Sequence, residues 1–422
     1  MLSSGDALTC GGAPARHEPV ETLSELMTSS HPEEHVRNDA TGHPENDAAA
    51  EAARLVRRTW AEVEPRSEEM TKYFYSVLFS LAPETRELFP ADMEVQRGRL
   101  LRALVHVVQT IDRPDELRPF LEQLGRDHRK FGVVTSHYEN FGTALLATVR
   151  KFAGESWTDE VERAWAHAYT FIAGAMAEAA EADPGPAWYP GEVVHRERIG
   201  LDRALIRVRL EHPLPYRAGQ YVSVEVPQRP KMWRYLSPAN APDESGELQF
   251  LVRAVPGGWV SRSLVGHAEA GDEWRIGPPM GRMSVDRESG RDVLMVAGGT
   301  GVAPMRALIE ELAAEGPDED GNTPAVHLFY GGREPDDLHD LERLQQFALE
   351  HPWLTVTPVL ETDNEEVGAL EGQLPETVSE HGPWDEREVL VAGSPEMLRA
   401  TVSRLTADGV PAERIHYDPF AD

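Results

Sequence analysis

Val296-Ala297-Gly298-Gly299-Thr300-Gly301-Val302-Ala303-Pro304 decides how the C-terminal part of this chain is read. The apolar run Val293-Leu294-Met295-Val296 reads as a buried strand, and it feeds directly into three glycines and then a helical stretch over 305–313. Gly298, Gly299 and Gly301 let the backbone approach a pyrophosphate, whose charge is favoured by the amides at a helix N-terminus. A glycine-rich loop alone is equally an ordinary turn, so its neighbourhood has to decide. From Asp292 onward the strand-like runs Val326-His327-Leu328-Phe329-Tyr330 and Val389-Leu390-Val391-Ala392 alternate with helical stretches. That rhythm predicts an α/β domain with a parallel sheet over 290–422.

Upstream of the loop the period drops to two, as in Ala204-Ile206-Val208-Leu210 and Tyr221 to Val226, which predicts an antiparallel β-barrel over 188–288. Three turns punctuate it: Arg234-Tyr235-Leu236-Ser237-Pro238-Ala239, Gly257-Gly258-Trp259-Val260-Ser261 and Gly277-Pro278-Pro279-Met280-Gly281. An arginine beside a hydroxyl clamps phosphate, and a Gly-Gly turn leading to a serine offers amide donors to the same anion. Each turn alone is unremarkable for a barrel; in this order, ahead of a nucleotide loop, they reinforce one another.

With these motifs, residues 191–422 resemble the ferredoxin-reductase-like family. The resemblance implies FAD held by Arg234, Tyr235, Ser237, Gly258, Val260 and Ser261, with Phe420 covering the flavin ring. It implies NAD(P)H bound by Gly298, Gly299, Thr300, Gly301, Val302, Pro304, Arg333 and Gly393. Two positions depart from the family: Leu236 replaces the aromatic of Arg-x-Tyr-Ser, and Ala392 replaces the cysteine before Gly393. NADH and NADPH both stay open, since Arg333 suits a 2′-phosphate while Glu334, Asp336 and Asp337 repel one and favour NADH.

The N-terminal part reads differently. Helical spacing runs through Leu55-Val56-Trp60, Phe74-Val77-Leu78, Leu100-Leu101-Leu104, Leu145-Leu146-Val149 and Trp165-Ala168-Tyr169, predicting an all-α domain over 47–183. With sixteen histidines in the chain, none announces a metal by itself. His128 stands near the end of a helical stretch that Gly132 breaks. Gln96 and Leu100 lie four apart, so a polar donor and an apolar wall share one helix face.

The order Tyr75, Phe89, Gln96, Leu100, His128, Tyr138 resembles the globin domain of flavohaemoglobins. By that resemblance His128 is the proximal ligand of the iron of haem b, Tyr75 and Gln96 are distal, Phe89 and Leu100 line the porphyrin, and Tyr138 is proximal. The family's proximal glutamate aligns with Ala180, between Glu178 and Glu181. The whole architecture implies a nitric oxide dioxygenase, turning nitric oxide and O2 into nitrate at a haem re-reduced through FAD. Two other readings stay open: an NAD(P)H-dependent flavin or haem reductase serving another acceptor, and an oxygen-binding or redox-sensing globin.

Composition agrees with this frame. A chain of 422 residues with 41% hydrophobic content fills two or three cores. A net charge of -31 opposes binding to nucleic acid or anionic membrane and favours a monomer. The single cysteine, Cys10, excludes an internal disulfide and an iron–sulfur cluster. No leader-like or membrane-spanning run is present, which predicts a cytoplasmic protein, and residues 1–46 read as a disordered acidic tail.

Overall fold

The computed structural model describes residues 44–318, 321–362 and 368–418. Residues 1–43 of the expected tail and Phe420 lie outside the described residues. Two compact units divide the chain. One takes the described residues through Glu87 with Met93–Gln123 and Val133–Ala179; the other takes Leu88–Asp92, Leu124–Gly132 and the chain from Ala180 onward.

The first unit is built from helices α1 (Pro44–Val63), α2 (Ser67–Leu81), α3 (Glu94–Thr110), α4 (Pro114–His128, up to Gln123), α5 (Thr135–Ala153) and α6 (Asp159–Ala182, up to Ala179). Met70, Phe74 and Leu78 recur every fourth residue on α2, and this face is buried against α5, where Phe141 meets the Phe74 ring edge-on at 4.7 Å. Each such side chain contributes about 1.5–3 kcal/mol by leaving water. Helix α1 starts at Pro44, inside the stretch expected to be tail: proline is tolerated at a helix start, where its missing N–H has no partner to lose.

The second unit holds two six-stranded sheets. Strands β1 (Tyr189–Ile199), β2 (Arg203–Leu210), β3 (Val222–Val226), β4 (Arg229–Leu236), β5 (Glu247–Arg253) and β6 (Glu273–Ile276) form an antiparallel half-barrel in the order β4-β3-β6-β1-β2-β5. Helix α7 (Trp259–His267) packs on it. Strand β1 begins at Tyr189 and runs through Pro190, because Tyr189 and Pro190 pair with Ile276 and Arg275 of β6.

The second sheet is parallel, in the order β10-β9-β8-β7-β11-β12. It comprises β7 (Val293–Gly298), β8 (Val326–Gly332), β9 (Leu354–Leu360), β10 (Leu370–Glu371), β11 (Glu388–Ala392) and β12 (Ile415–His416). Helices α8 (Val302–Glu315) and α9 (Leu341–Glu350) join the core on one face, and α10 (Leu374–Glu380) and α11 (Pro395–Ala407) join that on the other. Coverage on both faces explains why β7 and β11 are continuous apolar runs rather than alternating ones. Buried Arg306 of α8 fastens the two sheets' domains, reaching Ala239 O, Gln249 Oε1 and Asp340. Arg203 of β2 does the same by pairing with buried Asp337. No helix among the described residues is long and apolar enough to cross a membrane.

Candidate cofactor sites

The glycines of the nucleotide loop are demanded by close backbone approach. A Cβ on Gly301 would lie 2.3 Å from the Ala392 carbonyl oxygen and 2.7 Å from Gly393 N, neither of which can yield. One on Gly393 would meet Met397 Cε at 2.1 Å, and one on Gly298 the same methyl at 3.0 Å. Gly299 adopts φ +53° at the turn into α8. Strand order runs outward from β7 to β8 and β9 and then returns to β11 on the other side, so these glycines line the crevice at a topological switch point. Ligands of parallel α/β sheets bind there. Thr300, Val302 and Pro304 continue the same turn into α8, with Val302 and Pro304 buried. Arg333 is exposed at the end of β8, its N–H donating to Asp337 Oδ2 over 2.9 Å.

On the half-barrel, β4 pairs with β3 so that Arg234 faces Val224, Tyr235 faces Ser223 and Leu236 faces Val222. Arg234 and Ser237 are half-buried, and Tyr235 meets Tyr221 edge-on at 5.3 Å. Gly258 is the N-cap of α7; a Cβ there would strike Ser261 Oγ at 2.4 Å, and Val260 is fully buried beneath it. The first-turn amides of α7 therefore face a shallow cradle of glycine and serine, suited to an anion. Gly277 closes on Ser223 in the same way, where a Cβ would be 2.3 Å from an Oγ that is buried and has no hydrogen-bond partner among the described residues. An orphaned hydroxyl and Cβ-excluding cradles fit a polar cofactor such as FAD.

In the helical unit, the buried Tyr75 phenol of α2 is hydrogen-bonded to the Gln96 side chain of α3. Burial pushes the phenol well above its ordinary range, and Gln96 only partly offsets this. Phe74 and Phe79 ring it at 5.1 and 5.8 Å. Leu100, one turn beyond Gln96, is half-buried. Tyr138 is half-buried near the start of α5, and its carbonyl accepts from the Tyr169 hydroxyl of α6.

Phe89 and His128 fall in the other unit. His128 Nδ1 lies 2.7 Å from the Leu124 carbonyl, so Nδ1 carries the hydrogen and Nε2 keeps its lone pair. Desolvation holds the imidazole below its ordinary pKa, keeping it neutral. A neutral imidazole oriented by a carbonyl is what haem iron requires. Glu178 is 74% exposed and faces Arg118 at 3.7 Å, while Ala180 is half-buried.

Helical haem-pocket residues, a flavin-type half-barrel and a nucleotide sheet in one chain define an oxidoreductase that binds haem, FAD and a nicotinamide nucleotide. Family models agree: globin over residues 72–176, an oxidoreductase FAD-binding domain over 190–285 and an oxidoreductase NAD-binding domain over 295–403. The flavohemoprotein of Bordetella parapertussis is 33% identical over 286 residues, covering 63% of this chain and 71% of that protein. That of Bacillus subtilis is 25% identical over 387 residues, covering 87% of this chain and 96% of the relative. A Malassezia yamatoensis flavohemoglobin, solved with bound FAD and heme, shares the fold at TM-score 0.74 and 18% identity, over 89% of this chain and all of that one. The chain belongs to the flavohemoprotein family.

Three groups stand out only in the structure. Tyr169 fits the sequence pattern as core spacing alone, and Lys130 has no sequence signal, because a lysine at a helix end is normally solvated. Asp418, which is buried and accepts from Arg282 N, sits in a tail read only for Phe420.

Proposed function

We propose that the chain is an NAD(P)H-dependent nitric oxide dioxygenase. Two nitric oxide and two dioxygen molecules, with one NADH, give two nitrates, NAD+ and a proton. When bound, haem supplies the iron at which dioxygen and nitric oxide meet, and FAD splits the two-electron supply of NADH into single electrons.

The observation that carries this reading is the Tyr75–Gln96 hydrogen bond, a built polar pair in an otherwise aromatic wall. Its raised pKa keeps Tyr75 protonated at any physiological pH, so its O–H is a permanent donor to a dioxygen substrate. Gln96 holds that hydroxyl in place. Phe74 and Phe79 exclude water from the same space. His128 would hold the haem iron through Nε2, with the Leu124 carbonyl fixing its tautomer.

Arg234, Tyr235, Ser237 and the α7 turn at Gly258, Val260 and Ser261 hold FAD. The crevice of Gly298, Gly301 and Gly393 takes the dinucleotide, with exposed Glu334 and Asp336 beside Arg333 favouring NADH. The test is nitric oxide consumption with NADH and O2 at a nitric oxide electrode. Wild-type protein carries haem and flavin bands and consumes nitric oxide; His128→Ala and Arg234→Ala each abolish it. Undiminished turnover in either variant overturns the reading.

A further inference from the structure

The segment bearing His128 belongs to the same compact unit as the half-barrel; Arg129 ties it to Asp183 and Gly185, and Lys130 ties it to β4. Lys130, in the turn Arg129–Phe131 that follows α4, has a side chain only 1% exposed. Its ammonium pairs with Asp127 and lies 5.2 Å from the Phe131 ring, 5.2 Å from Trp233 and 5.3 Å from Tyr235. Trp233 and Tyr235 are alternate residues of β4 and so project from one face of the strand that carries Arg234. Rings also touch in sequence: His128 to Phe131 at 5.9 Å and Phe131 to Trp233 at 6.2 Å.

Burying an ammonium is costly, and an apolar residue of the same length would fill the space at lower cost. What a cation supplies and a methionine does not is simultaneous attraction to three ring faces and a carboxylate. Asp127 and His128 precede the turn, while Trp233 and Tyr235 flank the flavin arginine. The charge therefore joins the iron-ligand segment to the flavin strand.

We propose that the Asp127–Lys130 pair, caged by Phe131, Trp233 and Tyr235, is a positioning element that locks the His128 segment onto β4 and so fixes the geometry across which electrons pass from flavin to haem. This rests on the proposed reaction for its electron traffic: NADH becomes NAD+ with release of a proton and two electrons, and each electron takes one ferric iron to ferrous. The clamp itself is a statement about two segments of the chain.

The test compares the holoprotein with Lys130→Met and Lys130→Arg by hydrogen exchange and stopped flow. In Lys130→Met, amide exchange in 124–132 and in β4 rises together by about tenfold, because opening one segment releases the other. Haem reduction by NADH slows by about tenfold, while reduction of ferricyanide by NADH stays within about twofold. Lys130→Arg, which keeps a cation for the rings, restores most of both. Unchanged exchange in the two segments, or haem reduction within about twofold of wild type in Lys130→Met, overturns the proposal. Should Lys130→Met fail to fold, Trp233→Leu with Lys130 intact is read by the same two measurements and the same limits. Failure of nitric oxide consumption in wild type would strike the reaction and leave the exchange result standing.

Discussion

The glycine crevice of the parallel sheet and the Tyr75–Gln96 pair of the helical unit are made of different material. The crevice is backbone: Gly298, Gly301 and Gly393 matter for the side chains they lack, with main-chain atoms of Ala392 and Gly393 within 2.7 Å of any Cβ on Gly301. The Tyr75–Gln96 pair is side chain: a buried phenol hydrogen-bonded to an amide among aromatic rings. A backbone site tolerates no added atom, because the chain itself must shift. A side-chain site tolerates substitution by degrees, because deleting a donor leaves the scaffold standing.

The largest break is expected at His128. If His128 is the protein's iron ligand, as proposed, His128→Ala removes the protein's bond to haem iron, so purified protein loses its haem band and nitric oxide consumption falls to background, while ferricyanide reduction by NADH stays within about twofold. Retention of a full haem band would remove His128 as ligand. Gly301→Ala is the mirror image. Its Cβ collides with a carbonyl rather than a flexible side chain, and overpacking of that kind costs about 1–3 kcal/mol or more. NADH oxidation should fall by about a hundredfold with haem and flavin content intact. Gly393→Ala, whose only contact under 3 Å is the Met397 methyl at the end of a flexible side chain, with Gly298 backbone at 3.3 Å, should lose about tenfold. Equal losses in the two alanine variants would erase the distinction between rigid and yielding neighbours.

These two regions were also unequally legible. The Gly298–Gly301 loop is legible from its near context, since a strand and a helix flank it directly and the three half-barrel turns precede it. His128 could be placed only through resemblance, because a histidine's role depends on what a distant segment brings to it. Lys130 and Asp418 were illegible for the same reason: charged residues are solvated by default, and only the packing of β4 around one and of Gly281 against the other buries them. Helix and strand periods mark the architecture well, yet α1 begins at Pro44, ahead of the helical stretch that composition marks, and β1 runs through Pro190. Proline is a poor boundary marker at a helix start or a strand end.

Tyr75→Phe sharpens the side-chain half of the comparison. The ring and its contacts with Phe74 and Phe79 remain, and only the hydroxyl bonded to Gln96 is lost. A hydrogen bond to a partly charged ligand is worth about 1.5–3 kcal/mol, so dioxygen should dissociate about ten- to a hundredfold faster in flash photolysis. The haem spectrum of the deoxygenated protein should not change. An unaltered dissociation rate would mean that the phenol does not face the ligand.

The smallest effect on turnover, and the clearest in pH, is expected at Asp418. Its carboxyl is buried beside Gly281, where a Cβ would come within 2.5 Å of Oδ2, and desolvation raises its pKa to about 6 despite the Arg282 N–H. A raised acid binds its proton more tightly folded than unfolded, so its contribution is fully present below about pH 4 and is lost as pH rises through about 6. Wild-type unfolding free energy should therefore carry a downward component on the order of 1–2 kcal/mol between pH 4 and 7 that Asp418→Asn lacks. Chemical denaturation of both proteins across that range reads the difference directly. Parallel pH profiles would show that Asp418 ionises in the fold as it does in water, and the C-terminal contact with the half-barrel would then carry no charge penalty.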